Sequence, residues 1–171
     1  MTKTKVPPTV LTELNRQLNH ELSAAYAYLA LSAWCAAQNL KGFAGFFAKQ
    51  AGEEREHASK IMKHILDRGL APALAGIPAP KQDFDSLVEV AEQAQAMEQA
   101  NTVGINKAYE AAVAAKDYPA QVLLHWFIKE QVEEEAWAAE MVARVQGATC
   151  AGSLLDLDRH VEKLLESGEK D

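Results

Sequence analysis

The chain has 171 residues, of which 49% are hydrophobic and 24% are charged, which is typical of a single domain with a substantial core. Its 17 basic and 24 acidic residues give a formal charge of -7. We therefore expect cationic partners, and neither nucleic acid nor an anionic membrane surface, because both of those require a basic patch. No segment approaches the roughly 18 consecutive apolar residues that a membrane span needs.

The first half of the chain predicts two long helices, because it is rich in Ala, Leu, Glu, Gln and Lys and lacks alternating runs of β-branched and aromatic residues. The first helix should begin after residues 7–9, with Thr9 as its N-cap, and end before Asn39. The second should run from Gly42 to about Arg68, where Gly69 provides a left-handed stop.

The second half predicts two more long helices and a short one. The third helix should open around residues 85–87 and end near residues 116–117. The fourth should begin at Tyr118-Pro119, since proline is tolerated in a first turn, and end at Gly147. A short amphipathic helix fits residues 154–165. We expect one domain over residues 1–171, with the bundle at about 9–147 and the short helix at about 153–167.

The lengths of the connections predict the topology. Only a few residues join the first helix to the second and the third to the fourth, so both pairs should be antiparallel neighbours. The second helix is roughly 40 Å long, and the linker over residues 69–83 can extend to roughly 50 Å. The linker can therefore cross the whole bundle. The sequence predicts an all-α four-helix bundle with one long crossover and a short fifth helix.

The N-terminus and the cysteines bear on location and redox chemistry. Residues 1–8 contain no apolar stretch typical of a signal peptide, so we expect a cytoplasmic protein. Cys35 and Cys150 provide neither a disulfide framework nor a Cys-x-x-Cys metal motif. Cys35 lies in an apolar helical stretch, where a small buried side chain is the expected role.

Polar residues interrupt the apolar stripe of every long helix at a similar level. Each stripe steps three or four residues at a time, so its members share one helical face. The four stripes consist of Leu14, Leu18, Glu21, Ala25, Tyr28, Ser32 and Cys35; Phe43, Phe47, Gln50, Glu54, His57, Ile61 and Ile65; Leu87, Ala91, Ala94, Glu98, Asn101, Ile105 and Ala108; and Leu124, Phe127, Gln131, Glu134, Ala138, Met141 and Val145.

Four buried glutamates in one layer require compensating positive charge, because an uncompensated buried charge costs several kcal/mol. The stripes contain no lysine or arginine. Two divalent cations would neutralise the four carboxylates, with His57 as an uncharged ligand, and such a donor set suits iron, manganese or zinc. The alternative is that the glutamates lie on solvated helix faces, which is the usual position of a single glutamate on an amphipathic helix.

An internal repeat favours the metal hypothesis. Glu54 follows Glu21 by 33 residues, and Gln131 follows Glu98 by the same interval. Each of these pairs is completed three residues later, by His57 in the first half of the chain and by Glu134 in the second. Two similar hairpins that each provide a glutamate and then two candidate ligands at i and i+3 are typical of carboxylate-bridged di-metal bundles.

Taken together, these motifs resemble those of the bacterial non-haem ferritins over essentially the whole chain. The residues that carry the resemblance are Glu21 with Tyr28, Ser32-Ala33-Trp34-Cys35, Glu53-Glu54-Arg55-Glu56-His57, Glu98, Asp117-Tyr118-Pro119 and the segment from Trp126 to Glu135. The resemblance implies a ferritin-like bundle with a di-iron centre. Its implied ligands are Glu21, Glu54 and His57 for one iron, and Glu98 and Glu134 for the other, with Glu54 bridging and Gln131 nearby.

The resemblance also implies a third iron site on Glu53, Glu130 and Glu133, with Glu134 as a candidate shared ligand. Each of the first three directly precedes a stripe residue, so all three are rotated by about 100° in the same sense. The alternative is a solvated run of charges. In the family, the residues equivalent to Tyr28 and Trp126 lie close to the metals and are suited to donating an electron or a hydrogen bond. Core packing alone also explains an aromatic residue at either position.

The chain differs from three related families at positions that define those families, and these differences favour the non-haem ferritins. Bacterioferritins have a haem-binding methionine where this chain has Arg55, and Glu-x-x-His on the fourth helix, so we expect no haem. Rubrerythrins carry an iron domain with four cysteines, which the two cysteines of this chain cannot form. The starvation-type ferritins place ligands between subunits and lack the fifth helix.

The resemblance implies a ferroxidase that oxidises Fe(II) to Fe(III) with dioxygen or hydrogen peroxide and deposits ferric mineral inside a shell of 24 identical subunits, with the fifth helix at a symmetry axis. Two alternatives come from other classes. One is a soluble di-iron oxidase or peroxide-detoxifying protein without bulk storage, and the other is a metal-free structural bundle.

Overall fold

The computed structural model describes residues 6–167, and within them it contains five helices and no strand, which confirms the all-α prediction. The helices are α1 (Pro8–Ala37), α2 (Lys41–Asp67), α3 (Leu87–Ala114), α4 (Tyr118–Gly147) and α5 (Ala151–Ser167). None of these helices is long and apolar enough to cross a membrane. Residues 1–5 lie outside the described part of the chain, and most of the N-terminal segment discussed above falls there.

The fifth helix spans Ala151–Ser167, where residues 154–165 were predicted, and the ends of the long helices agree with the predictions within about three residues except at the start of α1. The prediction that Thr9 caps this helix was wrong, because α1 already begins at Pro8 and its N-cap is Pro7, which makes no side-chain hydrogen bond. Proline fits a first turn without a cap because it has no N–H to satisfy there. The left-handed stop after α2 is confirmed, since Gly69 has a φ of 79°. Asp117 caps α4, and its carboxylate accepts a hydrogen bond from the Ala120 amide at 3.3 Å.

The bundle consists of two hairpins, α1 with α2 and α3 with α4, and α1 also packs against α3. The long crossover between α2 and α3 is held against α1 by two asparagines. Asn15 Oδ1 accepts a hydrogen bond from the Ala73 amide at 2.8 Å, and Asn19 bonds both the Ala73 carbonyl and the Ala75 amide. The crossover therefore runs along the outer face of α1, as a four-helix bundle with one long connection requires.

The core has two apolar regions with a polar layer between them. One region contains Phe43 and Phe47 among its buried members, and the other contains Leu14, Leu18 and Ile61. The buried polar residues between these regions come from all four long helices, so the fold places them in a shared interior layer. Those residues are Gln17, Glu21, Gln50, Glu54, His57, Glu98, Asn101, Gln131 and Glu134.

Helix α5 packs against the start of α2 through an unusually close backbone approach. A Cβ atom on Gly42 would lie 2.0 Å from the carbonyl oxygen of Asp158, so only glycine allows the two backbones to meet there. The buried Asp158 carboxylate accepts a hydrogen bond from the Phe43 amide at 3.0 Å. This places a negative charge at the N-terminus of α2, where the helix dipole stabilises it.

Candidate metal centre

The polar stripe residues lie inside the bundle. Every stripe residue is buried except Ser32, which is partly buried. Glu21, Glu54, Glu98 and Glu134 are 0%, 1%, 1% and 7% exposed. The alternative that these four glutamates face solvent is therefore wrong, and the structure contains four carboxylates in one buried layer.

Three of these side chains form a compact group of candidate metal ligands. Glu21, Glu54 and His57 each provide one donor atom, and the three atoms lie within 4.8 Å of one another. His57 Nδ1 lies 3.6 Å from Glu54 Oε2, which is too far for a hydrogen bond. With the carboxylates ionised, neither that nitrogen nor either oxygen of Glu54 has a hydrogen-bond partner, whereas a protonated Glu21 would donate to Glu54. Buried polar atoms are rarely left unpaired, and a divalent cation coordinated by these three atoms would satisfy them.

Glu98 and Glu134 lie in the same layer outside this compact group, and neighbouring donors orient both carboxylates. Glu98 accepts hydrogen bonds from the Tyr28 hydroxyl and, at 3.3 Å, from Gln131 Nε2. Glu134 accepts one from Gln50 Nε2 at 3.0 Å and one from Trp137 Nε1. Because each carboxylate has four lone-pair positions, these bonds leave both side chains with capacity to coordinate a cation.

Crowding of carboxylates in a dry layer favours their protonated forms. Burial raises the pKa of Glu54 to about 8, and the nearby charges of Glu98 and Glu134 act in the same direction. Burial likewise raises the pKa of Glu134 to about 7 and the pKa of Glu21 well above its usual range. Without a cation the layer therefore holds protons at neutral pH, and a metal ion must displace them when it binds.

Two amide side chains complete the hydrogen bonding of Glu21. Gln17 Nε2 donates to Glu21 Oε1 at 2.7 Å and also to the Asn101 side chain, while Asn101 Nδ2 donates to Glu21 Oε2 at 3.2 Å. No role for Gln17 or Trp137 was predicted from the sequence. A local signal existed in both cases, because Gln17 precedes Glu21 by four residues and Trp137 follows Glu134 by three, which places each on the same helical face.

Aromatic rings hold His57 in place. The Trp126 and Phe127 rings lie 5.4 Å and 5.7 Å from the imidazole, and both are inclined to it by 78°. The ammonium group of Lys60 covers the Trp126 ring at 3.9 Å. Ligating histidines are usually oriented by a hydrogen bond to the second nitrogen, but here edge-to-face packing performs that role.

The residues of the predicted third site lie beside the buried layer without forming a compact group. Glu53 and Glu130 are partly buried and Glu133 is exposed. Glu53 lies 3.7 Å from the ammonium group of Lys49, and its charge contributes to the raised pKa values of Glu54 and Glu134. Within the described residues, the Glu21, Glu54 and His57 group is the only one compact enough to hold a metal as it stands, so the third site stays a prediction.

Comparisons with known proteins identify the family to which the chain belongs. A family model for the ferritin-like domain matches residues 11–148. Over 127 residues, the chain is 45% identical to the bacterial non-heme ferritin of Staphylococcus saprophyticus and 44% identical to that of Staphylococcus aureus, and each match covers 74% of this chain and 76% of the relative. A solved structure described as an open pore ferritin, from the hyperthermophilic archaeon Archaeoglobus fulgidus, superposes with a TM-score of 0.89 at 31% identity, covering 92% of this chain and 98% of that one.

Proposed function

Because the chain belongs to the ferritin-like family, we propose that it is a non-haem ferritin that oxidises Fe(II) and stores the Fe(III) product. The observation that carries this proposal is the buried group of Glu21, Glu54 and His57, in which both Glu54 oxygens and His57 Nδ1 have no hydrogen-bond partner and are close enough together to coordinate one cation. The relatives do not favour the alternative of a soluble di-iron oxidase without storage. We place the protein in the cytoplasm, in a shell of 24 copies.

In this proposal two Fe(II) ions bind as substrates in the polar layer. Their four positive charges balance the four buried carboxylates, which lose their protons as the metals bind. Gln131 lies beside the second site and donates to Glu98. The assigned ligands are Glu21, Glu54 and His57 for the first ion, and Glu98 and Glu134 for the second, with Glu54 shared between them.

The oxidation balances as a two-electron reaction. Each Fe(II) loses one electron, and dioxygen takes up two electrons and two protons to give hydrogen peroxide. With hydrogen peroxide as the oxidant, two electrons and two protons give two molecules of water. Anionic oxygen ligands stabilise the higher charge of Fe(III). The Tyr28 hydroxyl, which donates to Glu98, is positioned to stabilise that ligand or to supply an electron.

A titration tests the oxidation and a measurement of size tests the storage. Fe(II) added anaerobically and then exposed to air should give the absorbance of ferric-oxo species, with a break at two Fe(II) per subunit. Light scattering should give the mass of a hollow shell. An absent ferric signal would overturn the oxidation, and a monomer would overturn the storage. A crystal soaked anaerobically in Fe(II) and imaged at the iron absorption edge would locate the ions.

The predicted third site should affect repeated turnover more than the first reaction. We expect Glu130→Ala to oxidise the first two Fe(II) per subunit at the rate of the unaltered protein, because Glu130 is not one of the assigned di-iron ligands. Later additions should be oxidised about two- to five-fold more slowly, since a carboxylate that receives ions leaving the layer is gone. Stopped-flow absorbance after successive additions of Fe(II) measures both phases.

The matched control for this experiment is Glu140→Ala. It removes an exposed carboxylate from the same helix, almost three turns further on, where Glu140 pairs with Arg144. This variant should oxidise both the first and the later additions of Fe(II) at the rate of the unaltered protein. If Glu130→Ala slows the first reaction as strongly as the later ones, the residue acts in the di-iron site and the separate third site is wrong.

A further inference from the structure

A groove between α3 and α4 reaches the buried layer from a side that the assigned iron sites do not use. It is a cavity of about 350 Å³ that passes from exposed residues, such as Val132 and Asn106, down to the buried Gln131. Val132 and Glu135 each follow a buried α4 residue by one position, whereas Glu130 and Glu133 each precede one. A step of one residue turns a helix by about 100°, so the groove and the third-site carboxylates lie on opposite flanks of α4.

Gln131 forms the floor of this groove and separates it from Glu98. Its Nε2 donates to the Glu98 carbonyl at 3.2 Å, to Glu98 Oε2 at 3.3 Å and to Thr102 Oγ1 at 3.1 Å. Its Oε1 accepts from Asn101 Nδ2 at 3.4 Å. Two of these four distances exceed the usual range of about 2.7–3.2 Å for N–H···O hydrogen bonds, and two hydrogens are shared among three acceptors. Rotation of the amide away from Glu98 is the movement that would connect the groove to the carboxylate.

The lining of the groove suits a small uncharged molecule. Ile105, Ile128 and Val132 provide apolar walls, and Thr102 and Asn106 provide neutral hydrogen-bonding groups. An Fe(II) ion would have to shed part of its hydration shell there with a single carboxylate, Glu135, available to replace it. Glu130 and Glu133, on the opposite flank of α4, give the cation a better route. One flank therefore favours Fe(II), and the groove favours an uncharged reactant.

We propose that this groove is the entry port through which the small uncharged oxidant, dioxygen or hydrogen peroxide, reaches the metal layer, with Gln131 as its gate. The proposal rests on the proposed function, since it assigns a route to one of the reactants of that oxidation. No bond is made or broken in the port itself. Iron and oxidant would meet in the layer from opposite sides of α4, so that incoming oxidant does not cross the path of the cations.

The test fills the groove without altering an assigned ligand. Val132 lines the groove and is 70% exposed in the single chain, so Val132→Trp should fold while placing an indole in the cavity, and light scattering checks that the variant forms the same assembly as the unaltered protein. The variant is loaded anaerobically with two Fe(II) per subunit and mixed with dioxygen at several concentrations, and in a second arm with hydrogen peroxide. We expect the second-order rate constant for the oxidant to fall about five- to ten-fold, while the rate of anaerobic Fe(II) binding stays unchanged.

Val122→Trp is the matched control, because Val122 is 72% exposed on the same helix and does not line the groove. It should react like the unaltered protein. If the rate constant of Val132→Trp falls with only one of the two oxidants, the result supports the port and identifies its oxidant, and a fall with both supports a port that both use. Val132→Phe should then lower the rate constant by a smaller factor.

Unchanged rate constants in both arms, or an equal decrease in Fe(II) binding, would overturn the port. A protein that oxidises no Fe(II) before any substitution would instead overturn the proposed function itself. The two failures are therefore distinguishable in the same set of measurements.

Discussion

Glu54→Ala is expected to slow Fe(II) oxidation at least about 100-fold, because it removes the carboxylate that both assigned iron sites share. Both oxygens of Glu54 are buried and unpartnered, and the side chain lies close to His57 and Glu21. The fold should persist, because the variant also removes a buried carboxyl whose pKa is raised to about 8 by burial. Stopped-flow absorbance measures the rate, and circular dichroism and light scattering measure fold and assembly.

The control is Glu56→Ala, two residues away on the exposed face of α2, which should oxidise Fe(II) at the unaltered rate. His57→Ala should resemble Glu54→Ala, since it removes the imidazole ligand of the same group. Unchanged kinetics in both Glu54→Ala and His57→Ala would show that the oxidation occurs elsewhere and that these ligands are wrongly assigned.

The polar layer was predictable from sequence because helical period determines which residues face inward. Residues three or four apart share a face, so a glutamate such as Glu98, which lies between Ala94 and Ile105 on its stripe, is predicted to face the core without coordinates. Ser32 is the stripe residue that stays partly exposed, and its hydroxyl bonds the Ala44 carbonyl at 2.8 Å. The crossover was predictable for a different reason, since chain length limits which helix ends a linker can join.

Contacts between residues distant in the chain were not predictable in this way. The hydrogen bond between Gln17 and Asn101 joins positions 84 residues apart, and the approach of Gly42 to Asp158 joins α2 to α5. The helical period places each residue on a face, but the register between two packed helices decides which side chains meet. The groove above Gln131 depends on that register as well, which explains why no sequence pattern indicated it.

The metal-free protein should become less stable as pH rises from 6.5 to 8. Glu54 has a pKa near 8 in the folded protein against an ordinary value of 4.5, and Glu134 has one near 7. At a pH between 4.5 and the raised pKa of each carboxyl, the folded state holds a proton that the unfolded chain has released. The free energy of unfolding therefore decreases as pH rises. The expected decrease is on the order of a few kcal/mol for several such groups, because one pKa unit corresponds to about 1.4 kcal/mol.

The upper part of this range separates the effect from the histidines. Burial lowers the pKa of His20 and His64 below 6.5, so their contribution increases stability with pH until the histidines of the unfolded chain have lost their protons, about one pH unit above 6.5. Cys150, whose thiol pKa is lowered by hydrogen bonds with Ser153, would act in the opposite direction to the carboxylates at high pH. Replacing it with serine removes that contribution.

Guanidinium denaturation of the metal-free protein at several pH values measures the decrease, and three comparisons make it specific. Glu54→Gln should reduce the dependence on pH and should be more stable than the unaltered protein at pH 8, because an uncharged amide replaces a buried carboxylate. Bound Zn(II) should remove the dependence, since the cation replaces the protons. Glu56→Gln should change nothing. Stability that is constant or rises from pH 6.5 to 8 without metal would mean that the buried carboxylates are already ionised, and metal binding at neutral pH would then release no protons from this layer.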